Sequence, residues 1–356
     1  MKKACKIALA VVLALFVLFS AASFAIVKIS LEENFQRTAP REFTAYIQYQ
    51  DVEDWLEREL ISFPSGENQL QGYLYGADHT KGLIVLSHGM GGGADNYLGD
   101  IMYFLDAGYQ VFAFDNTGCY LSEGNNCVGP VQSVIDLDAA LTFIEGEPRF
   151  EGLPVLLYGH SWGGYAVTAI FNFDHEIAAS VSVSGFNESM EMTMEWIQDM
   201  GVLAKLEYPY IYLYQRMLFG EKLDFTAVRG INRTDTPVLL IHGTEDQVIS
   251  LTGSATMARR DEITNPNVEY KLCDSERQNG HNNLLYALDA LDYMDELNTE
   301  YDKLYEEYNE DIPDEVKRAF YDGVDKLRVE ARDPEFMRDV LDFYERAIGE
   351  REDGNF

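Results

Sequence analysis

The sequence predicts an α/β protein: a mostly parallel, doubly wound sheet with a helical cap insertion and a C-terminal helical extension. Three observations carry this reading. From about residue 61, short apolar runs of strand length alternate with helical stretches, as in a parallel sheet covered on both faces. Over residues 187–236 the alternation lapses, for longer than an ordinary connection within a compact domain. After about residue 283 only helical spacing remains.

The chain opens with Lys2, Lys3 and Lys6, then an apolar run over residues 7–19, then Ser20-Ala21-Ala22-Ser23-Phe24-Ala25. These are the charged, apolar and small-residue parts of an export signal. The uncharged stretch continues to Val27, reaching the roughly 20 residues that span a bilayer. Residues 1–27 therefore read as a cleaved signal peptide or an N-terminal membrane anchor, with the positive end inside the cell in either case. Both readings place the rest of the chain outside the cytoplasm, secreted or anchored. A charged leader follows over residues 28–60.

With 356 residues, 47% hydrophobic and 13% aromatic, the chain can bury one large core. Its net charge of −33 argues against nucleic acid as a partner, because binding to phosphate backbones is driven by Lys and Arg. The cysteines are Cys5, Cys119, Cys127 and Cys273, too few for a disulfide scaffold and without metal-ligand spacing. Cys119 and Cys127 read equally as a short bridge or as two free thiols.

Residues 61–186 form the first part of the core. Its buried strands are Gly82-Leu83-Ile84-Val85-Leu86-Ser87, Val111-Phe112-Ala113-Phe114, Val155-Leu156-Leu157-Tyr158 and residues 179–183, near-continuous apolar runs suited to burial on both faces. The cap insertion, 187–236, is rich in aromatic residues: Trp196, Tyr208, Tyr210, Tyr212, Tyr214 and Phe219. They read either as the lining of an apolar pocket or as the cap's own core. Residues 237–295 resume the core with Val238-Leu239-Leu240-Ile241 and Val268-Glu269-Tyr270-Lys271-Leu272. Residues 296–356 form an acidic helical extension, in which Leu297, Tyr301, Leu304, Tyr305 and Tyr308, then Phe336, Val340, Phe343 and Tyr344, recur at helical spacing.

A hydroxyl becomes a useful nucleophile only beside a base, an orienting carboxylate and amide donors for the oxyanion. In Tyr158-Gly159-His160-Ser161-Trp162-Gly163-Gly164 a strand runs into a glycine-flanked serine and then a helical stretch, the context of a nucleophile elbow. His88-Gly89-Met90-Gly91-Gly92-Gly93 ends an earlier strand, and the amides of Met90 and Trp162 are the candidate oxyanion donors. The acid is Asp246 in His242-Gly243-Thr244-Glu245-Asp246, with Glu245 as the neighbouring alternative. The base is His281, which completes the chain order Ser, Asp, His. His88, His160 and His242 belong to turn motifs and shape the pocket; His79 and His175 read as solvated residues.

Taken together, these residues resemble the α/β-hydrolase superfamily, in particular its serine aminopeptidase, monoacylglycerol lipase and esterase-like branch, over roughly residues 60–295. The loop Phe114-Asp115-Asn116-Thr117-Gly118-Cys119, followed by Ser122 and Gly124, looks like the family's aspartate-x-arginine-glycine loop, with Thr117 where the arginine is usual. The resemblance implies that the insertion is a lid. It also implies hydrolysis of an ester, thioester or amide in a small-molecule acyl substrate with an apolar part, without metal or organic cofactor. Esterase or lipase-like chemistry is the first reading. A peptidase that grips a free amine is the second, and would need a carboxylate such as Glu188, Glu191 or Glu195 at the site. A non-catalytic binding module is the third. Dehalogenase and epoxide-hydrolase chemistry would call for an aspartate in place of Ser161.

Overall fold

The computed structural model describes residues 2–352. Among them, eight strands form one sheet in the order β1-β2-β4-β3-β5-β6-β7-β8. The strands are β1 (Arg58–Ser65), β2 (Asn68–Tyr75), β3 (Leu83–Ser87), β4 (Gln110–Phe114), β5 (Val155–His160), β6 (Ala179–Val183), β7 (Val238–Gly243) and β8 (Val268–Cys273). Strands β3 to β8 are parallel, while the β1/β2 hairpin joins antiparallel at the β4 edge. The chain leaves β3 to form β4 on one side and returns past it to form β5 on the other. That reversal is a topological switch point, where carboxyl-end loops part and leave a crevice.

The helices are α1 (Lys2–Asn34), α2 (Leu98–Asp106), α3 (Pro130–Gly146), α4 (Trp162–Ala169), α5 (Ser189–Trp196), α6 (Val202–Phe219), α7 (Ala227–Ile231), α8 (Leu288–Glu307), α9 (Asp314–Asp322), α10 (Lys326–Val329) and α11 (Pro334–Glu352). Strand side chains alternate between the sheet's faces. Leu83, Val85, Phe112 and Phe114 therefore join the core under α3 and α4, while Ile84, Leu86, Val111 and Ala113 join the core under α2 and α11. Because both faces are covered, these strands carry the unbroken apolar runs seen in the sequence.

Three expected boundaries shift. Helix α1 continues unbroken to Asn34, past residue 27, and β1 begins at Arg58, so the 28–60 leader starts in helix, runs mostly irregular and ends in strand. In the insertion, α7 packs on α4 rather than in the cap: a Cβ on Gly230 would stand only 2.5 Å from the Thr168 carbonyl oxygen. At the C-terminus, α11 belongs to the sheet core and not to a separate extension. Phe336, Met337, Val340, Phe343 and Tyr344 are all buried, each contributing on the order of 1.5–3 kcal/mol, and the Tyr344 hydroxyl donates to the Leu157 carbonyl of β5 at 2.7 Å. Helices α8 to α10 are thus an acidic excursion before the chain returns to the sheet.

His175 is also not the solvated residue expected. Its Nε2 lies 2.9 Å from Asp138 and its Nδ1 2.9 Å from Glu145, joining the loop before β6 to α3. Burial lowers its pKa, but hydrogen bonds to the two carboxylates outweigh burial and the net shift is upward. With a raised folded-state pKa, the contact stabilises fully below the unfolded value near 6.5 and is lost as pH rises through the folded value. His175→Gln should therefore cost about 0.5–1 kcal/mol at pH 5.5 and clearly less at pH 9, as read by urea unfolding at the two pH values. An equal cost at both would show that the pair does not titrate.

Candidate active site

Strand β5 delivers Ser161 at the carboxyl edge of the sheet in a strained conformation, φ 58° and ψ −114°. A non-glycine residue in such a region costs about 1–3 kcal/mol. The strain is held by the Ser161 amide, which donates to the Val183 carbonyl at 2.8 Å. The turn closes only with glycine on either side: a Cβ on Gly163 would lie 1.9 Å from the Ser87 carbonyl oxygen, and one on Gly159 2.2 Å from that of Gly163. The Gly-x-Ser-x-Gly pattern is therefore a steric requirement of this turn.

The structure brings Ser161, His281 and Asp246 together from three loops. Asp246 Oδ2 lies 2.8 Å from His281 Nδ1, so Nδ1 carries the proton, and Nε2 accepts from Ser161 Oγ at 2.9 Å. The other oxygen, Asp246 Oδ1, accepts from the amides of Val248 and Ile249, both at 2.9 Å, and His242 Nε2 stands 3.3 Å from Oδ2. Burial pushes the Asp246 carboxyl upward, but hydrogen bonds from His242, His281 and the Ile249 amide outweigh it and hold it well below the usual carboxylate range. Glu245, the alternative acid, is exposed; its amide donates to the Asn279 carbonyl at 2.7 Å and so braces the His281 loop.

Met90 and Trp162 flank Ser161, Met90 in the loop after β3 and Trp162 as the first residue of α4. Among the described residues the amides of Met90 and Trp162 have no intramolecular acceptor. A helix N-terminus leaves such N–H groups unpaired and carries partial positive charge, so the pair suits an oxyanion.

A second tier of polar residues fixes these parts. The Gly89 amide donates to the Tyr97 hydroxyl at 2.8 Å, Tyr97 donates to His160 Nδ1 at 3.1 Å, and His160 Nε2 donates to the His281 carbonyl at 3.0 Å. One chain of hydrogen bonds thus ties the Met90 loop to the His281 loop. His160 is pushed down to about 3 by burial and by the neighbouring His281, and His88 down to about 4 by burial, so both stay neutral as the network needs. His88 donates to the Gly89 carbonyl and accepts from the Asn116 amide at 3.0 Å. Tyr97 escaped sequence reasoning, because a tyrosine opening an ordinary helix carries no motif. Thr117 sits where the resemblance expects arginine and binds buried Asp136 through its amide (2.7 Å) and hydroxyl (2.9 Å), so it stabilises the loop. Cys119 and Cys127 are free thiols with sulfurs 3.4 Å apart.

Ser161 and His281 open into a cavity of about 530 Å³, lined on its apolar side by Met90, Phe186, Met192, Trp196 and Ile249. Of the six cap aromatics singled out in the sequence, Trp196 alone lines it. Tyr214 and Phe219 are buried against the cap's own core with Val27 of α1, Tyr210 meets Phe19 of α1, and Tyr208 stacks on Tyr212. Glu188, Glu191 and Glu195 are absent from the lining. Glu191 pairs with Arg259 at 2.6 Å, and Glu195 accepts from the Ser250 and Ser254 amides. The acidic residue that does line the cavity, Asp95, is paired with Arg58 at 2.7 Å.

The sequence model of the serine aminopeptidase family S33 matches residues 78–220. A polyketide transferase of Aspergillus fumigatus, af380, is 29% identical over 133 residues, 36% of this chain and 46% of that protein; the chain thus spans less than half the length of this curated relative. Among solved structures, the esterase Pf2001 of Pyrococcus furiosus superposes with a TM-score of 0.52 at 19% identity, covering 69% of this chain and 91% of the esterase. The sheet, the crossing order of its strands and these matches show that the chain has the α/β-hydrolase fold.

Proposed function

We propose that the protein is a serine hydrolase acting on esters, outside the cytoplasm and tethered by α1. The observation that carries this reading is the unbroken relay from Ser161 Oγ through His281 to Asp246, at 2.9 and 2.8 Å, opening into a cavity with an apolar side. Ser161 Oγ attacks the ester carbonyl as His281 Nε2 takes its proton, and the developing oxyanion is met by the amides of Met90 and Trp162. The carbon–oxygen bond to the alcohol then breaks, and the leaving alkoxide takes the proton back from His281. Water, activated by the same imidazole, releases the acid and restores Ser161. Asp246 holds the ring and stabilises the imidazolium while remaining ionised.

Ester hydrolysis is favoured over aminopeptidase action by the carboxylates. A free ammonium needs an acidic partner; Glu191 and Glu195 are engaged elsewhere, and Glu188 does not line the cavity. Lacking a charge-assisted hydrogen bond of about 1.5–3 kcal/mol, aminoacyl p-nitroanilides should be turned over with kcat/KM at least about tenfold below p-nitrophenyl butyrate, beyond the difference seen with their N-acetylated forms. Faster cleavage of the free-amine anilides would favour the peptidase reading. The tether rests on α1, an apolar helix long enough to cross a bilayer.

A further inference from the structure

The N-terminal helix does more than an anchor requires. Its first half is exposed, with Leu9, Val12, Phe16 and Leu18 each more than 60% accessible. From Ser20 onward it packs on α6: Ser20 meets the Tyr210 hydroxyl at 2.9 Å, Ser23 donates to Glu207 at 3.0 Å and Tyr214 donates to Glu32 at 3.2 Å. Alongside, α6 exposes Val202, Leu203 and Met217, at 74%, 58% and 68%. Soluble surfaces do not gather so many large apolar side chains on two adjoining helices, whereas a bilayer covers them.

Between α1 and the cap lies a second cavity of about 350 Å³, walled by Ile26, Val27 and Leu31 of α1 and by Ile197, Met200 and Ile211 of the cap. It adjoins the Ser161 cavity, since Met90 and Trp196 line both. Its polar lining is mostly engaged: Asn34 donates to the Ser30 carbonyl, Thr193 to that of Ser189, and Glu207 accepts from Ser23, leaving one Glu207 oxygen unpartnered. The α1 residues at this cavity flank Lys28, the first charge after the uncharged span, so the cavity sits where α1 leaves the hydrocarbon.

We infer that this second cavity is the acyl-chain subsite of the Ser161 centre, that α1 is retained as one of its walls, and that the substrate is a membrane-resident ester with a chain of about ten carbons or more. This rests on the serine-hydrolase reading above and extends it to substrate class. At roughly 30 Å³ per water-sized unit, 350 Å³ holds a chain of that length. A lipid sliding from the bilayer into the cavity exchanges one apolar environment for another. Passage through water would expose every methylene, at about fourfold in equilibrium constant for each.

The test uses the full chain in nanodiscs, with Ile26→Trp and Met200→Trp, two exposed positions that line the cavity, where an indole should narrow it without repacking the core. Against p-nitrophenyl dodecanoate and butyrate, each variant should lower the dodecanoate-to-butyrate ratio of kcat/KM by about tenfold or more. In the Ser161→Ala background, the fluorescent fatty acid 11-(dansylamino)undecanoic acid should bind saturably and about tenfold more weakly once either tryptophan is present. An unchanged ratio together with unchanged binding in folded variants overturns the subsite. Fluorophosphonate labelling without fatty-acid binding also overturns it, leaving the hydrolase reading intact. Fatty-acid binding that the tryptophans block, in a protein that resists fluorophosphonate, supports the subsite and removes the hydrolase reading instead.

Discussion

Ser161→Ala should lower kcat toward p-nitrophenyl butyrate by about 10⁶-fold, and His281→Ala should do nearly the same. In the proposed mechanism the two side chains serve one proton transfer across a 2.9 Å contact, so removing both should cost scarcely more than removing either. Asp246→Asn leaves the packing intact, but its amide can donate to His281 Nδ1 and favour the wrong tautomer, for a loss of about 10⁴-fold. Some activity above that of water should persist in all three variants, because the Met90 and Trp162 amides and the cavity remain. Losses that multiply between Ser161 and His281 would mean that the two do not serve the same step.

The second large effect is on stability. Arg332 is buried in the segment joining α10 to α11, with its guanidinium 2.7 Å from Asp100 of α2 and 2.9 Å from Glu330. Asp100 also accepts from the Tyr158 hydroxyl of β5 at 2.9 Å, so the cluster locks the last helix to the sheet beneath the site. Burial pushes the Glu330 carboxyl up to about 7 even though Arg332 opposes that shift. Removing the cation strands two buried carboxylates. Arg332→Met should cost about 3–5 kcal/mol, which for a domain of this size lowers Tm by roughly 10 °C, as measured by calorimetry. Adding Asp100→Asn and Glu330→Gln to Arg332→Met should recover much of the loss, because the stranded charges are then gone. A loss below 1 kcal/mol for Arg332→Met alone would show that water reaches the cluster.

The parallel strands and the three loops that meet at Ser161 were legible because their physics is local. A strand buried on both faces carries an unbroken apolar run, as β3, β5 and β7 do up to the polar or glycine residues at their carboxyl ends, and a sharp strand-to-helix turn excludes side chains at Gly159 and Gly163. The β1/β2 hairpin escaped notice for the opposite reason. Strand β1 lies at the sheet's edge and is half solvated, with alternating burial, and Pro64 within it masks the pattern. Its signal was the Gly66-Glu67 turn, where Gly66 takes φ +59°. Helix α11 was misassigned because an acidic amphipathic helix looks the same whether its apolar stripe covers a sheet or another helix. Its place on the sheet depends on Tyr344 and Arg332 meeting Leu157 and Asp100, nearly 190 and more than 230 residues away in sequence. The network of Tyr97 and His160 depends likewise on distant contacts, and the role of α1 beside the site depends on packing that an apolar run alone does not encode.

The central claim is that Ser161 is a nucleophile activated by His281, and mass spectrometry after fluorophosphonate treatment tests it most directly. The full chain in detergent, digested and mapped, should carry the phosphonyl group on the peptide containing Ser161. The adduct should be absent from Ser161→Ala and should form at least about 10³-fold more slowly in His281→Ala, where the base that activates the hydroxyl is gone. A folded wild-type protein that remains unmodified, or one modified at another residue with Ser161 untouched, would contradict the account.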